Sequence, residues 1–136
     1  MLDMRIGCEH AEFQFLAAKY GRANSTWSLP LVVGMPKAKE LLYTGRLVKS
    51  EEAERIGLLN QLVPCAELRE TSIQMAQLIS KNDSRMVQGI KRLLHEDIGM
   101  DWRGRYDNEQ SARKTYLKAN SPREGFKDFL ARKGIR

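Results

Sequence analysis

Residues 29–64, LPLVVGMPKAKELLYTGRLVKSEEAERIGLLNQLVP, carry the densest set of helix start and stop signals in the chain. Proline is tolerated at the first position of a helix, where its missing N–H would have no partner, so a helix is predicted to begin at Pro36. Gly45 is predicted to end it, since glycine takes the left-handed conformation without penalty. A second short helix is predicted from Ser50, which is placed to cap it, to Gly57. The apolar segments that follow these helices, Leu47–Val48 and Leu58–Val63, predict brief strands or extended connections.

The composition predicts one globular domain with its own core. The chain has 136 residues, of which 42% are hydrophobic. Its longest apolar run, residues 29–35, is far below the roughly 20 residues of a membrane-spanning helix. The first ten residues have neither a secretory nor a transit composition, so we expect a cytoplasmic protein with no membrane segment. The net charge of +6 favours an anionic partner but does not choose among nucleic acid, a membrane surface and a polyphosphate ligand.

The cysteines and histidines predict no metal centre. Cys8 and Cys65 are far apart and form no CxxC pair, so buried free thiols are expected, with a disulfide or a metal site as the less favoured alternatives. This cysteine usage is typical of a reducing compartment. His10 and His95 each stand without a second ligand at useful spacing, and no metal site is proposed.

A spaced series of residues in the opening stretch carries a family resemblance. The series comprises Gly34, Ala38, Leu41, Thr44-Gly45, Ala53, Gly57-Leu58 and Val63-Pro64. In this order it closely resembles the enoyl-CoA hydratase/isomerase family, which has the crotonase fold. The resemblance implies an α/β fold, the C-terminal part of a crotonase-like spiral, mostly helical with a few short strands. Residues 1–64 would form the C-terminal end of the α/β core, and residues 65–136 a helical oligomerisation region.

The same resemblance implies ligands and assembly. Family members act on acyl-CoA thioesters, with coenzyme A as part of the substrate and no covalently bound cofactor. They assemble as homo-oligomers, usually trimers or hexamers, and stabilise an enolate with two backbone N–H groups. The family therefore suggests a role in fatty acid metabolism, as a lyase or an isomerase.

The segment before the opening stretch lacks the family's usual catalytic glutamate. Residues 4–8 predict a short strand, and residues 8–13, CEHAEF, resemble the family segment where the chain turns toward the acyl-CoA site. Carried onto this sequence, the glutamate position is Ala17, and Leu16 replaces the proline before it. Alanine has no titratable proton, so position 17 cannot take part in acid/base chemistry. The nearest acids, Glu9 and Glu12, are assigned to a solvated surface.

The resemblance places two further parts of the family site upstream of the first residue. These are the second carboxylate and the glycine-rich turn that donates one oxyanion-hole N–H. The loop at residues 22–26 also departs from the family, since it lacks the usual glycines. Tyr20 and Trp27 are interpreted as amphipathic aromatics at a packed surface.

The C-terminal half predicts four helices. Apolar periodicity favours helices over residues 66–81, 84–96 and 101–118, with Asn82 or Asp83 capping the second. The last helix is predicted to open at the capping box Ser121-Pro122-Arg123-Glu124. The basic residues of the C-terminal half, from Lys91 to Lys118, favour a solvated face over a nucleic-acid surface, since no recognition motif accompanies them.

The end of the chain resembles the family segment that helps to hold the 3′-phosphate end of coenzyme A, often for a neighbouring subunit. Residue by residue, Phe129 is the aromatic group, Arg132 the basic group, and Lys133 stands beside it. The alternative is that Phe129 packs the last helix while Arg132 and Lys133 form a solvated helix end, where cations are favourable on dipole grounds alone. Both interpretations stay open.

The sequence therefore predicts a family protein that binds or acts on acyl-CoA thioesters but is incomplete and inactive as a hydratase on its own. One alternative is a different crotonase-fold activity in a longer parent protein. Another is a non-catalytic, basic assembly or nucleic-acid-binding module.

Overall fold

The structure is a computed structural model that describes residues 3–119 and 127–133. The chain divides into two compact units, residues 1–76 and residues 77–136. The boundary predicted between residues 64 and 65 remains a prediction about the family core. Of the helices described, none combines the length and apolar character that crossing a membrane requires.

The first unit mixes short strands and short helices, as expected for an α/β fold with few strands. Its elements in chain order are β1 (Ile6–Cys8), β2 (Glu12–Gln14), a 3₁₀ helix (Ala17–Tyr20), α1 (Leu29–Val33), α2 (Met35–Thr44), β3 (Leu47–Lys49), α3 (Ser50–Arg55), β4 (Gln61–Val63) and a second 3₁₀ helix (Cys65–Glu67).

The four strands form two pairs. β1 and β4 are parallel, with Cys8 opposite Val63. β2 and β3 are antiparallel, with Phe13 opposite Val48. The strands predicted at residues 4–8 and at Leu47–Val48 are confirmed with small shifts, and the run Leu58–Val63 contributes β4 at its end. β2 was not predicted.

The first helix of the opening stretch confirms its prediction. α2 begins one residue before Pro36, and Gly45 follows it at φ 57°, in the left-handed region where glycine carries no Cβ penalty. The N–H of Gly45 donates to the carbonyl of Leu41 at 3.0 Å, which closes the helix end.

The predicted capping role of Ser50 is wrong. Lys49 is the N-cap of α3 and Ser50 is already the first helical residue. Its hydroxyl instead donates to the backbone carbonyl of Glu9 at 3.1 Å. Ser50 is 1% exposed, so this bond satisfies a polar group buried inside the first unit.

A single apolar cluster forms the core of the first unit. It comprises Leu29, Ala38, Leu41, Val48, Ala53, Leu58 and Leu59. Ala38, Leu41, Val48 and Ala53 are fully buried. The opening stretch therefore supplies the buried residues, and Phe13 and Phe15 pack against them.

The prediction of free thiols is wrong. Cys8 and Cys65 are joined by a disulfide, with their Cα atoms 4.9 Å apart. The parallel register explains the pairing. Cys8 ends β1 opposite Val63, the last residue of β4, and Cys65 follows Val63 by two residues. A separation of 57 residues in sequence gave no local signal of this contact.

The second unit is helical. α4 (Leu68–Ser80) begins in the first unit and ends in the second, and α5 (Ser84–Glu96), α6 (Trp102–Lys114) and α7 (Lys127–Arg132) follow. Asp83 caps α5 as predicted, accepting from the N–H groups of Arg85 and Met86. The predicted capping box at residues 121–124 lies outside the described residues.

A small second core holds α5 against the end of α6. It contains Leu93, Ala112 and Leu117, with Met86 packed against them. Leu117 also lies over Gly89 of α5, so closely that a Cβ at position 89 would meet the Leu117 Cδ2 atom at 2.1 Å. Any larger residue at position 89 would require the Leu117 side chain to move.

Candidate functional site

Position 17 carries no acid/base group. Ala17 is half-buried at the start of the first 3₁₀ helix, which Gly21 ends at φ 63°. The carbonyl of Ala17 accepts from the N–H of Arg22 at 2.9 Å, so its backbone belongs to the helix end. The side chain is a methyl group that can neither donate a proton nor orient a water molecule.

An open apolar cavity of about 380 Å³ lies in the first unit. Its lining residues are Arg5, Phe13, Phe15, Ser25, Trp27, Ser28, Leu29, Val32 and Leu58. They come from the residue before β1, from β2 and the residue after it, from α1 and the loop before it, and from the segment after α3. Cavities of this size and apolar character are typical of small-molecule sites.

Two phenylalanines and one tryptophan give the cavity its aromatic wall. Phe13 lies in β2, and Phe15 follows at the i, i+2 spacing that places both on one face of an extended strand. Trp27 is 73% exposed, so its ring stands at the solvent side of the cavity. The expectation of a packed surface for Trp27 and Tyr20 is corrected here, because Tyr20 is also 71% exposed.

Arg5 contributes the cavity's one cationic lining side chain among the residues described. Its Nε donates to the backbone carbonyl of Leu58. Its backbone N–H donates to Asn60 Oδ1 at 2.8 Å, and its carbonyl accepts from the Asn60 N–H at 2.7 Å. These bonds hold Arg5 against the segment before β4 and fix that wall of the cavity.

The described lining residues include no aspartate or glutamate. Glu12 is exposed on β2. Glu9 is also exposed, and its Oε2 accepts from the Cys65 N–H at 2.8 Å. Neither acid lines the cavity, in agreement with their assignment to the surface. The cavity can bury apolar groups, but these residues supply no general acid or base.

One grouping of potential metal ligands occurs among the described residues, namely Cys8, Glu9 and Cys65. The two sulfur atoms are bonded to each other, so they offer no thiolate to a metal ion in this state. His10 and His95 do not belong to the group.

The sequence-predicted coenzyme A residues lie at the end of the second unit. Phe129 and Arg132 are in α7, and Lys133 follows it. The N–H of Lys133 donates to the carbonyl of Leu130 at 3.1 Å, so the helix closes there. Arg132 and Lys133 are both exposed and adjacent, so two positively charged side chains stand at one helix end.

Both arginines of α5 are engaged in contacts within the second unit. The Arg92 guanidinium lies over the Tyr116 ring at 4.8 Å from its centroid, and its Nε pairs with Glu96 Oε1 at 2.7 Å. The pKa of Arg92 is raised by this hydrogen bond to Glu96. Arg85 donates to the carbonyl of Lys118 at 3.0 Å. The positive charge of this helix therefore has structural partners.

The sequence identified Ala17 at the family's glutamate position and the resemblance to a family that acts on acyl-CoA thioesters. It did not identify Arg5, Phe15 or Ser28 as residues that line the cavity. The alternation of Phe13 and Phe15 is the signal that could have located the aromatic wall. Ser25, also missed, has φ 54°, an uncommon value for a residue other than glycine.

Comparison with known proteins identifies the scaffold. The family model for enoyl-CoA hydratase/isomerase matches residues 1–135. A short-chain-enoyl-CoA hydratase of Clostridioides difficile is 32% identical over 93% of this chain and 84% of its own length. A putative enoyl-CoA hydratase/isomerase of Bacillus subtilis, YngF, is also 32% identical over 93% of this chain, but over 50% of its own length.

A solved structure shows the same fold. The crystal structure of an enoyl-CoA hydratase from Bacillus anthracis superposes with a TM-score of 0.85 at 29% identity, and covers 96% of this chain and 52% of that one. The chain thus spans about half the length of two of these three relatives. The predicted crotonase-like α/β fold is confirmed, and the chain belongs to the enoyl-CoA hydratase/isomerase family.

Proposed function

We propose that this chain binds acyl-CoA thioesters, with the acyl group in the apolar cavity of the first unit, and that it does not hydrate enoyl-CoA on its own. The observation that carries the proposal is a cavity walled by Phe13, Phe15 and Trp27 with no carboxylate among its described lining residues. Family membership supplies the acyl-CoA class, and the cavity supplies an apolar surface for the acyl chain.

Binding follows from burial of apolar surface. Each methylene transferred from water to an apolar site contributes about 0.8 kcal/mol. Leu29, which lines the cavity, is 4% exposed and belongs to the core cluster, so this part of the lining is preformed. A preformed site avoids part of the ordering cost of binding.

Hydration requires proton transfer to and from the substrate. A positioned acid or base typically contributes 10² to 10⁴-fold to such a step. Ala17 stands where the family resemblance places one carboxylate, and the described cavity residues offer no substitute. Loss of the group is expected to leave binding without turnover.

The test pairs binding with turnover on the same preparation. Binding of a saturated acyl-CoA is measured by calorimetry, and hydration of a short enoyl-CoA by loss of the conjugated thioester absorbance. We expect saturable binding and a hydration rate equal to that of buffer. Robust hydration would refute the inactive assignment, whereas no binding of any acyl-CoA would refute the proposal itself.

The 3′-phosphate of coenzyme A is proposed to interact with Arg132 and Lys133. The supporting observation is that both cations are exposed side by side at the end of α7. Charge-assisted hydrogen bonds to phosphate are among the stronger polar contacts in proteins. The competing interpretation, a solvated helix end, predicts no preference for the phosphorylated ligand.

A matched pair of variants separates these interpretations. The double variant Arg132→Gln/Lys133→Gln is compared with Arg113→Gln/Lys114→Gln, which removes another arginine–lysine pair from the last turn of α6. We expect the first variant to lose its preference for CoA over 3′-dephospho-CoA, and the control to keep it. An unchanged preference in the first variant would assign the pair to the solvated helix end.

Homo-oligomerisation as a trimer or hexamer, a cytoplasmic location and a role in fatty acid metabolism belong to the same proposal. Exposed apolar side chains on the second unit support assembly: Leu94 is 68% and Trp102 79% exposed. Contact between protein molecules would remove such side chains from water. Sedimentation analysis tests the assembly, since a monomer at all concentrations would contradict it.

A further inference from the structure

The Cys8–Cys65 disulfide joins two segments that the backbone already holds together. Cys8 is the last residue of β1, and the parallel register places it opposite Val63, two residues before Cys65. The Cα atoms lie 4.9 Å apart, inside the range that a disulfide requires. Strand pairing thus keeps the two sulfur atoms close in either oxidation state.

The two cysteines differ in exposure. Cys65 is exposed, while Cys8 is half-buried. Thiol–disulfide exchange needs access to one sulfur atom along the S–S axis, and exposed disulfides are the labile ones. A small thiol can therefore reach Cys65 without unfolding the first unit.

We propose that Cys8 and Cys65 form a site of reversible thiol–disulfide exchange with small thiols and disulfides, and that its oxidation state controls the turn between β1 and β2. This inference does not depend on acyl-CoA binding.

The exchange takes place in two steps. An attacking thiolate forms a bond to Cys65 Sγ, the S–S bond breaks, and Cys8 leaves as a thiolate that takes up a proton. A second thiolate then attacks the small-molecule sulfur of the mixed disulfide, and Cys65 leaves and is protonated. Two small thiols are oxidised to one small disulfide, the protein disulfide is reduced to two thiols, and the reverse reaction restores it.

Three hydrogen bonds hold the turn independently of the disulfide. The Ala11 N–H donates to the Cys8 carbonyl at 2.8 Å. The Glu9 carbonyl accepts from the Ser50 hydroxyl at 3.1 Å, and Glu9 Oε2 accepts from the Cys65 N–H at 2.8 Å. Reduction removes one covalent restraint from a turn that stays hydrogen-bonded, so the first unit should remain folded while the turn opens more often. β2, which carries Phe13 into the cavity wall, follows this turn directly.

The negative charge of Glu9 is expected to slow the exchange. A carboxylate oxygen of Glu9 lies within 4.8 Å of both sulfur atoms. Its negative charge opposes the approach of a thiolate to Cys65. Glu9→Gln keeps an oxygen acceptor for the Cys65 N–H and removes the charge, so exchange should become roughly fourfold faster at low salt by Coulomb's law in water. High salt should abolish the difference, because it screens exposed charges.

The first experiment equilibrates the full chain in glutathione buffers of graded oxidised-to-reduced ratio, without denaturant. Free thiols are trapped by alkylation and counted by mass spectrometry. We expect a reversible transition between no and two alkylated cysteines, with an unchanged circular dichroism spectrum. Two free thiols in every buffer, or a disulfide that is reduced only in denaturant, would overturn the proposal.

The second experiment measures hydrogen exchange of the backbone amides at residues 8–11 in the two states. We expect faster exchange after reduction, and a Cys8→Ser/Cys65→Ser variant that matches the reduced state whether or not reductant is present. Equal protection in both states would remove the link between the disulfide and the turn. Equal reduction rates for the Glu9→Gln variant and the unaltered chain at low salt would refute the effect of the Glu9 charge on the exchange.

Discussion

The Arg46 guanidinium makes two hydrogen bonds to the Glu52 carboxylate, from Nη1 to Oε2 at 2.7 Å and from Nη2 to Oε1 at 2.5 Å. Arg46 follows α2 and Glu52 lies in the first turn of α3, so the pair connects two consecutive helices across β3. Glu40 accepts from Nε of the same guanidinium at 2.7 Å. The network fixes the end of α2 against the start of α3.

The Arg46–Glu52 pair predicts an acid-dependent contribution to stability. The hydrogen bonds from Arg46 lower the pKa of Glu52 from 4.5 to about 2. In the unfolded chain Glu52 titrates near its ordinary value, so the contribution is full above that value and is lost as the pH falls through about 2. Arg46→Met should therefore lower the urea midpoint at neutral pH, and the gap to the unaltered chain should close toward pH 2.

Arg46→Lys is the matched control for this prediction. Lysine keeps the charge but cannot make the two parallel hydrogen bonds, so it should fall between the unaltered chain and Arg46→Met. A gap of equal size at neutral pH and near pH 2 would show that the methionine variant acts through packing and not through the carboxylate.

The buried Ser50 hydroxyl predicts a measurable loss on substitution. Ser50→Ala leaves the Glu9 carbonyl without its donor inside the first unit. Breaking such a bond costs about 1 kcal/mol, with more for a fully buried partner. Ser72→Ala is the control, because the Ser72 hydroxyl donates to Leu68 O on an exposed helix face. Denaturant unfolding should show a lower midpoint for the first variant and little change for the second.

The close approach of Leu117 to Gly89 predicts that Gly89→Ala destabilises the unaltered chain but stabilises a Leu117→Ala variant. Gly89→Ala in the unaltered chain would place a Cβ 2.1 Å from Leu117 Cδ2, and overpacking of this kind costs about 1–3 kcal/mol. In a Leu117→Ala background the clash is absent, and alanine should stabilise α5 by up to about 1 kcal/mol over glycine. Thermal unfolding of the unaltered chain, the two single variants and the double variant measures both effects. Stabilisation by Gly89→Ala in both backgrounds would contradict the close packing of Leu117 against position 89.

Local signals explain which parts of the fold could be predicted. Pro36, Gly45 and Asp83 act on the helix that each one begins or ends, so their effect is visible within a few residues. β2 depends on pairing with β3, in which Phe13 lies opposite Val48. The disulfide likewise depends on the β1–β4 pairing. Contacts between distant residues leave no periodic pattern in a three-residue strand.

The candidate site likewise has a part that the sequence predicted and a part that it did not. The family resemblance located Ala17 from a spaced motif around it. The cavity was not predicted, because its wall is assembled from Phe15, Trp27 and Leu58, which lie in separate segments. The hydroxyl of Ser50 was assigned to a cap, since the carbonyl that it contacts belongs to Glu9, 41 residues earlier.

Trp27 predicts an optical signal for ligand binding. The chain has two tryptophans, so a Trp102→Phe variant leaves Trp27 as its sole tryptophan reporter at the cavity. Because 73% of Trp27 is exposed, burial beside an acyl chain should shift its emission to shorter wavelength. Affinity should rise roughly threefold to fourfold for each added methylene that the cavity covers.

Two controls make this signal specific to the cavity. A Trp27→Phe variant keeps Trp102 of α6, which is 79% exposed and belongs to the other unit, so its emission should not change with ligand. Coenzyme A without an acyl group should leave the Trp27 emission unchanged as well, because it brings no apolar chain to the cavity. Equal shifts from both tryptophans, or a full shift with coenzyme A alone, would show that the acyl group does not occupy the cavity beside Trp27.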